Sequence, residues 1–138
     1  METFTAYSHA LASLVLFALI VLILSPLSAI QKQKAGLAPG ATPPGDYGDM
    51  AYRLNRAYLN GTETLPAFLT VTAVAILAGA SVFWVNLLAS LVLVSRVLML
   101  IFHLRGMGSP YNGPRTFSYV AGWACLAVLG VLALAALV

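Results

Sequence analysis

The chain has 138 residues, of which 61% are hydrophobic and only 8% charged, with a mean hydropathy of +0.93. Soluble domains carry roughly a quarter charged residues, so a soluble globular domain is excluded; at about 20 apolar residues per crossing, roughly four membrane crossings use up most of these residues. The net charge of +3 comes from seven Lys and Arg scattered over several segments, which is not the basic stripe of a nucleic-acid binder, and Cys125, the single cysteine, rules out an intrachain disulfide.

The first apolar run extends from about Tyr7 to Ile30 and is interrupted only by Ser25-Pro26. No Lys or Arg precedes it, unlike the basic start of a cleaved signal peptide, so it is expected to stay in the mature protein. Gln31-Lys32-Gln33-Lys34 closes it, and the Gly- and Pro-rich stretch from Ala35 to Gly45 reads as an extra-membrane loop. Asp46 or Asp49 then offers an N-cap for a second helix, over about 49–80, that begins outside the bilayer and runs inward. A third helix over about 82–103 follows Gly79-Ala80-Ser81, which implies a tight hairpin. After a second polar loop at about 104–114, a fourth helix is expected over about 115–137, with Pro114 or Arg115 in its first turn. The expectation is an all-α integral membrane protein, one domain over 1–138 built as a four-helix transmembrane bundle.

Lys and Arg in short loops mark the cytoplasmic side of a membrane protein. In the four-pass arrangement Lys32, Lys34, Arg53, Arg56, Arg105 and Arg115 all fall on one side, while both termini and the hairpin at Gly79 fall on the other. Both termini are therefore expected to be periplasmic or luminal, with the loops at about 31–48 and 104–114 in the cytoplasm.

A charge in hydrocarbon costs about 2.5 to 17 kcal/mol depending on the method, so each one present is a candidate for function or pairing. Arg53, Arg56, Asn60 and Glu63 are spaced by three, four and three residues, which puts them on one helical stripe. Arg96 and His103 share a face of the third helix, and Arg115 and Tyr119 lie one turn apart on the fourth, with Thr116 beside them. All sit toward the cytoplasmic half. Together they supply donors for carboxylates and one carboxylate for an ammonium, an inventory that suits a small peptide-like zwitterion. Structural readings stand beside these: Arg96 as the ion-pair partner of Glu63, Arg53 and Arg56 as positive-inside anchors, Asn60 and Asn86 as helix-to-helix hydrogen bonders, and His103 as an interfacial residue.

The string from Arg56 to Phe68, with Arg56-Ala57, Asn60, Glu63, Pro66 and Phe68 at fixed offsets, resembles the signature of the MAPEG family, the membrane-associated proteins in eicosanoid and glutathione metabolism. Ser95-Arg96-Val97 is similar to that family's third-helix arginine, and Arg115-Thr116-Phe117-Ser118-Tyr119 to the start of its fourth helix. The likeness covers nearly the whole chain. Where many relatives have a His and then a Tyr at successive turns after the third-helix arginine, this chain has Met99 and His103. Leu59 looks more like the glutathione transferase branch than the prostaglandin synthase branch.

The resemblance implies a homotrimer with glutathione as co-substrate, held in cytoplasm-facing clefts between subunits, and no metal. Asn60 and Glu63 would hold the glutamyl end, Arg53 and Arg56 the carboxylates, and Arg115 with Thr116 and Tyr119 the sulfur; His103 would complete the binding set. The implied function is activation of the glutathione thiolate for conjugation to lipophilic electrophiles or for reduction of lipid hydroperoxides, by a transferase with peroxidase activity. The alternative is a non-catalytic lipid-binding or scaffold protein on the same fold. A small multidrug exporter fits less well, because such exporters resemble one another in a first-helix Glu and the segment from Ala10 to Ile30 has no acid. The expected partners are the lipid bilayer, further copies of the chain and a lipophilic small molecule.

Overall fold

A computed structural model describes residues 2–107 and 112–138. Among them there are five helices and no strand: α1 (Glu2–Ala6), α2 (Ser8–Lys34), α3 (Met50–Leu77), α4 (Val82–Leu104) and α5 (Pro114–Ala135). The four long helices form a bundle in which α3 and α4 each pack against both α2 and α5. The second polar loop, expected at 104–114, lies in part outside the described residues, at 108–111.

The first long helix starts where expected and runs further at its C-terminal end. A break at Tyr7 separates α1 from α2, and α2 continues through the polar residues to Lys34. Apolarity tells where a helix leaves the membrane, not where it stops: Lys32 and Lys34 in the last turn suit the negative end of the helix dipole. Pro26 and Pro66 are both accommodated inside helices. Asp49 is the cap of α3, its carboxylate accepting the Ala51 N–H at 3.0 Å.

Gly79 makes the hairpin between α3 and α4. Its φ of 72° is one that side chains with a Cβ rarely adopt, and it lets the Ala80 N–H reach Ala75 O at 2.9 Å and the Gly79 N–H reach Ile76 O at 3.1 Å. Two carbonyls of the last turn are satisfied in this way. Gly106 ends α4 by the same arrangement.

The break at Tyr7 has its own polar clamp. Asn86 of α4 accepts from Ala10 N at 2.9 Å and donates to Ala6 O at 2.8 Å, and the Tyr7 hydroxyl donates to Ala80 O at 2.5 Å. One amide thus serves two backbone groups that the broken helix leaves over. Asn86→Leu is expected to lower stability by about 1–3 kcal/mol, through two unsatisfied backbone groups, measured as a fall in the thermal midpoint of the protein in detergent.

Distribution of polarity identifies the solvent. Phe68, Val85, Val92 and Leu129 are fully buried, and the rings of Phe17 and Phe68 pack 6.1 Å apart. Yet Arg96, His103 and Arg115 are also buried while Leu22, Ile23, Leu77, Phe117 and Val131 are exposed. Apolar groups outside and charges inside is the arrangement of a protein dissolved in lipid. Three helices, α2, α4 and α5, are long and apolar enough to cross a membrane, and the chain is an integral membrane protein. α3 does not reach that apolarity, because its first half carries Arg53, Arg56, Asn60 and Glu63.

Candidate functional site

A cleft of about 280 Å³ opens where the first half of α3, the end of α4 and the start of α5 meet. From α3 it is lined by Arg56, Asn60 and Glu63, from α4 by Met99 and His103, and from α5 by Arg115, Thr116 and Tyr119. Tyr47, from the loop before α3, forms the remaining wall. Seven of the residues singled out in the sequence are therefore neighbours here. The three-and-four spacing on α3 aims Arg56, Asn60 and Glu63 the same way, and the start of α5 places Arg115, Thr116 and Tyr119 opposite.

The polar atoms are unevenly committed. Asn60 Nδ2 donates to Arg56 O at 3.0 Å, so the amide oxygen is the part of that side chain left to accept from a ligand. Glu63 is exposed at the rim, where it borders both this cleft and a second one. His103 is 2% exposed and its Nδ1 has no hydrogen-bond partner. Buried polar atoms are nearly always paired, so this nitrogen is available to a water or a ligand in the cleft. Arg115 is buried with its guanidinium carbon 4.1 Å from the centre of the Tyr47 ring.

Two expected placements are revised. Arg53 does not line the cleft: its Nη1 donates to Tyr47 O at 2.6 Å and Gly48 O at 2.9 Å, so it pins the loop that carries Tyr47. The ion pair of Arg96 with Glu63 is not formed among the described residues. Arg96 is buried, donating to Met99 Sδ at 3.8 Å and lying 4.9 Å from the centre of the Tyr119 ring, whereas Glu63 points outward. The Tyr119 ring faces Arg96. Close approach of α4 and α5 permits this. A Cβ on Gly122 would stand 2.1 Å from Ser95 Oγ and 3.4 Å from Arg96 Nε, so any larger residue there would have to displace the Ser95 side chain.

Tyr47 and Met99 are the lining residues that were not among the candidate site residues of the sequence. Tyr47 lies just after the Gly- and Pro-rich stretch, and the one signal for it is an aromatic residue two positions before the helix cap Asp49. Met99 was visible as a departure from a pattern, without a position in space.

A second cleft lies beside the first, between α3 and α5, sharing Glu63 and Tyr119 with it. Ala67, Val71, Trp123, Leu126 and Ala127 make its wall mostly apolar, with Arg96 of α4 also lining it. A charged cleft and an apolar groove thus meet at two common side chains. No curated protein and no solved structure matches the chain. The family model described as MAPEG family matches residues 10–135, nearly the whole length.

Proposed function

The chain belongs to the MAPEG family, and from that premise we propose that it is a glutathione-dependent membrane enzyme that activates the glutathione thiolate against lipophilic substrates. The observation that carries this reading is the convergence of Arg56, Asn60 and Glu63 with Arg115, Thr116 and Tyr119 in one cleft. Glutathione has carboxylates, one ammonium and one thiol; the cleft offers Arg56 for a carboxylate, Glu63 for the ammonium and a second guanidinium, Arg115, for the sulfur. Glu63 and the free oxygen of Asn60 take the ammonium, Arg56 takes a carboxylate by charge-assisted hydrogen bonds, and Arg115 stands at the sulfur.

A thiol with a pKa of about 8.5 is mostly protonated at neutral pH, and a guanidinium in a poorly hydrated site favours the thiolate. The thiol proton leaves to solvent, and the thiolate sulfur forms a bond to an electrophilic carbon whose leaving group departs with its electron pair. With a lipid hydroperoxide, two glutathiones are oxidised to the disulfide as the hydroperoxide is reduced to an alcohol and water. The apolar groove beside Tyr119 is suited to a substrate that arrives from the bilayer.

The assembly belongs to the same proposal. At 1.5 Å per residue the 28 residues of α3 span about 42 Å, against a hydrocarbon core of about 30 Å. α3 therefore makes the fourth crossing with its charged start projecting into the cytoplasm, both termini on the far side. The subunits form a homotrimer, in which a neighbour covers the exposed Glu63 rim.

Full-length protein in detergent, mixed with glutathione, is expected to give a thiolate absorbance at neutral pH and to conjugate a chloronitrobenzene-type electrophile. Neither signal, across several electrophiles, would overturn the reading. The apolar groove favours one second reading, a lipid-holding protein without turnover; lipid binding without glutathione binding in isothermal titration would establish it instead.

A further inference from the structure

Arg115 is expected to act on a thiol, yet a guanidinium open to water would do so weakly. The loop before α3 deals with that. The Tyr47 ring lies over the Arg115 guanidinium at 4.1 Å and stacks on the His103 ring at a centroid distance of 6.4 Å and an angle of 24°. Tyr52 meets its edge at 5.0 Å and 83°. One aromatic ring thus contacts a cation from α5, an imidazole from α4 and a phenol from α3.

The loop is held rather than loosely draped. Arg53 Nη1 donates to the carbonyls of both Tyr47 and Gly48, Asp46 Oδ1 accepts from Gly48 N at 2.8 Å, and Asp49 caps the helix that follows. Arg53, spaced by sequence as though it belonged to the ligand stripe, is the anchor of this loop.

We propose that Tyr47 is a positioning residue for Arg115: its ring covers one face of the guanidinium and keeps water from it. A guanidinium carries its donors in one plane and stacks by its face, and its attraction to a ring rises from about 0.5–1 to about 2 kcal/mol or more as water is removed. The same covering lowers the local dielectric, so Arg115 stabilises a thiolate more strongly. This role rests on the glutathione reading given above.

The test is the pH midpoint of the thiolate absorbance of glutathione bound to the full chain in detergent. Among the described residues, the other charged or titratable groups around the site are Arg56, Glu63 and Tyr52 of α3, Arg96 and His103 of α4 and Tyr119 of α5, with Arg53, Asp46 and Asp49 at the loop; all are retained in the variants. Tyr47→Ala is expected to raise the midpoint by about one pH unit, a tenfold change in thiolate stability, while glutathione affinity above that midpoint changes less than about threefold. Tyr47→Leu fills the space without a ring and should behave like Ala; Tyr47→Phe keeps the ring face and restores the wild-type midpoint. An unmoved midpoint in the Ala and Leu variants would overturn the role of Tyr47, as would a loss of glutathione binding in both with the midpoint unchanged wherever binding is forced. Absence of a thiolate band in the wild type is a separate failure, that of the glutathione reading itself.

Discussion

Arg115→Ala is expected to lower turnover by about 10²- to 10³-fold, the usual loss when one electrostatic donor is taken from a developing or stabilised anion, while the affinity for glutathione falls by less than about fivefold. The asymmetry follows from where the residue stands. Arg115 is buried at the start of α5, with one guanidinium face under Tyr47, and across the cleft Arg56, Asn60 and Glu63 remain to hold the peptide backbone of the ligand. Steady-state kinetics with a chloronitrobenzene-type electrophile and isothermal titration of glutathione, both on the same preparation, separate the two quantities. Arg115→Lys retains charge but loses the planar fork and the ring contact, so it should fall between wild type and Ala. Equal losses in turnover and binding would remove the assignment of Arg115 to the sulfur.

Glu63→Gln should reverse that pattern, weakening glutathione by about 10- to 100-fold with little change in turnover at saturation. A hydrogen bond to a charged group contributes about 1.5–3 kcal/mol, and Glu63 is the one carboxylate lining the cleft. Because Glu63 is exposed in the isolated subunit, the lower half of that range applies unless a neighbouring subunit covers the rim. N-acetylated glutathione makes the test specific. Wild type should prefer the free amine by the same factor, and Glu63→Gln should bind the two ligands nearly equally. A preference for the free amine that survives the substitution would mean that the ammonium is held elsewhere.

The parts of this site that could be read from sequence are those in which a polar residue stands where apolar residues are cheaper. Arg56, Asn60 and Glu63 fall on one stripe of a helix that enters a membrane, and Arg115, Thr116 and Tyr119 open the next polar helix start; the structure brings the two sets into one cleft. Periodicity fixes which way a helix residue points, but not what meets it. Arg53 belongs to the same stripe as Arg56 and still turns away, because the carbonyls of Tyr47 and Gly48 lie within its reach. Arg96 and Glu63 could pair by charge, yet one is buried beneath Tyr119 and the other faces outward. Tyr47 was hidden for a different reason, since the path of a loop over a cleft depends on anchors distant in sequence and on no repeat.

The helices follow the same division. The apolar runs coincide with α2, α4 and α5, the three helices long and apolar enough to cross a membrane. Helix ends past the apolar region, such as the extension of α2 to Lys34 and the break at Tyr7 bridged by Asn86, depend on caps and side-chain hydrogen bonds that composition does not express.

The central claim is that the cleft between α3, α4 and α5 holds glutathione with its sulfur at Arg115. A cryo-electron microscopy map of the full chain with glutathione measures this directly. The account predicts density in that cleft, with the glutamyl end at Asn60 and Glu63 and the sulfur nearest to Arg115 beneath Tyr47. A cleft that stays empty at saturating glutathione, or glutathione with its sulfur turned away from Arg115, would contradict it.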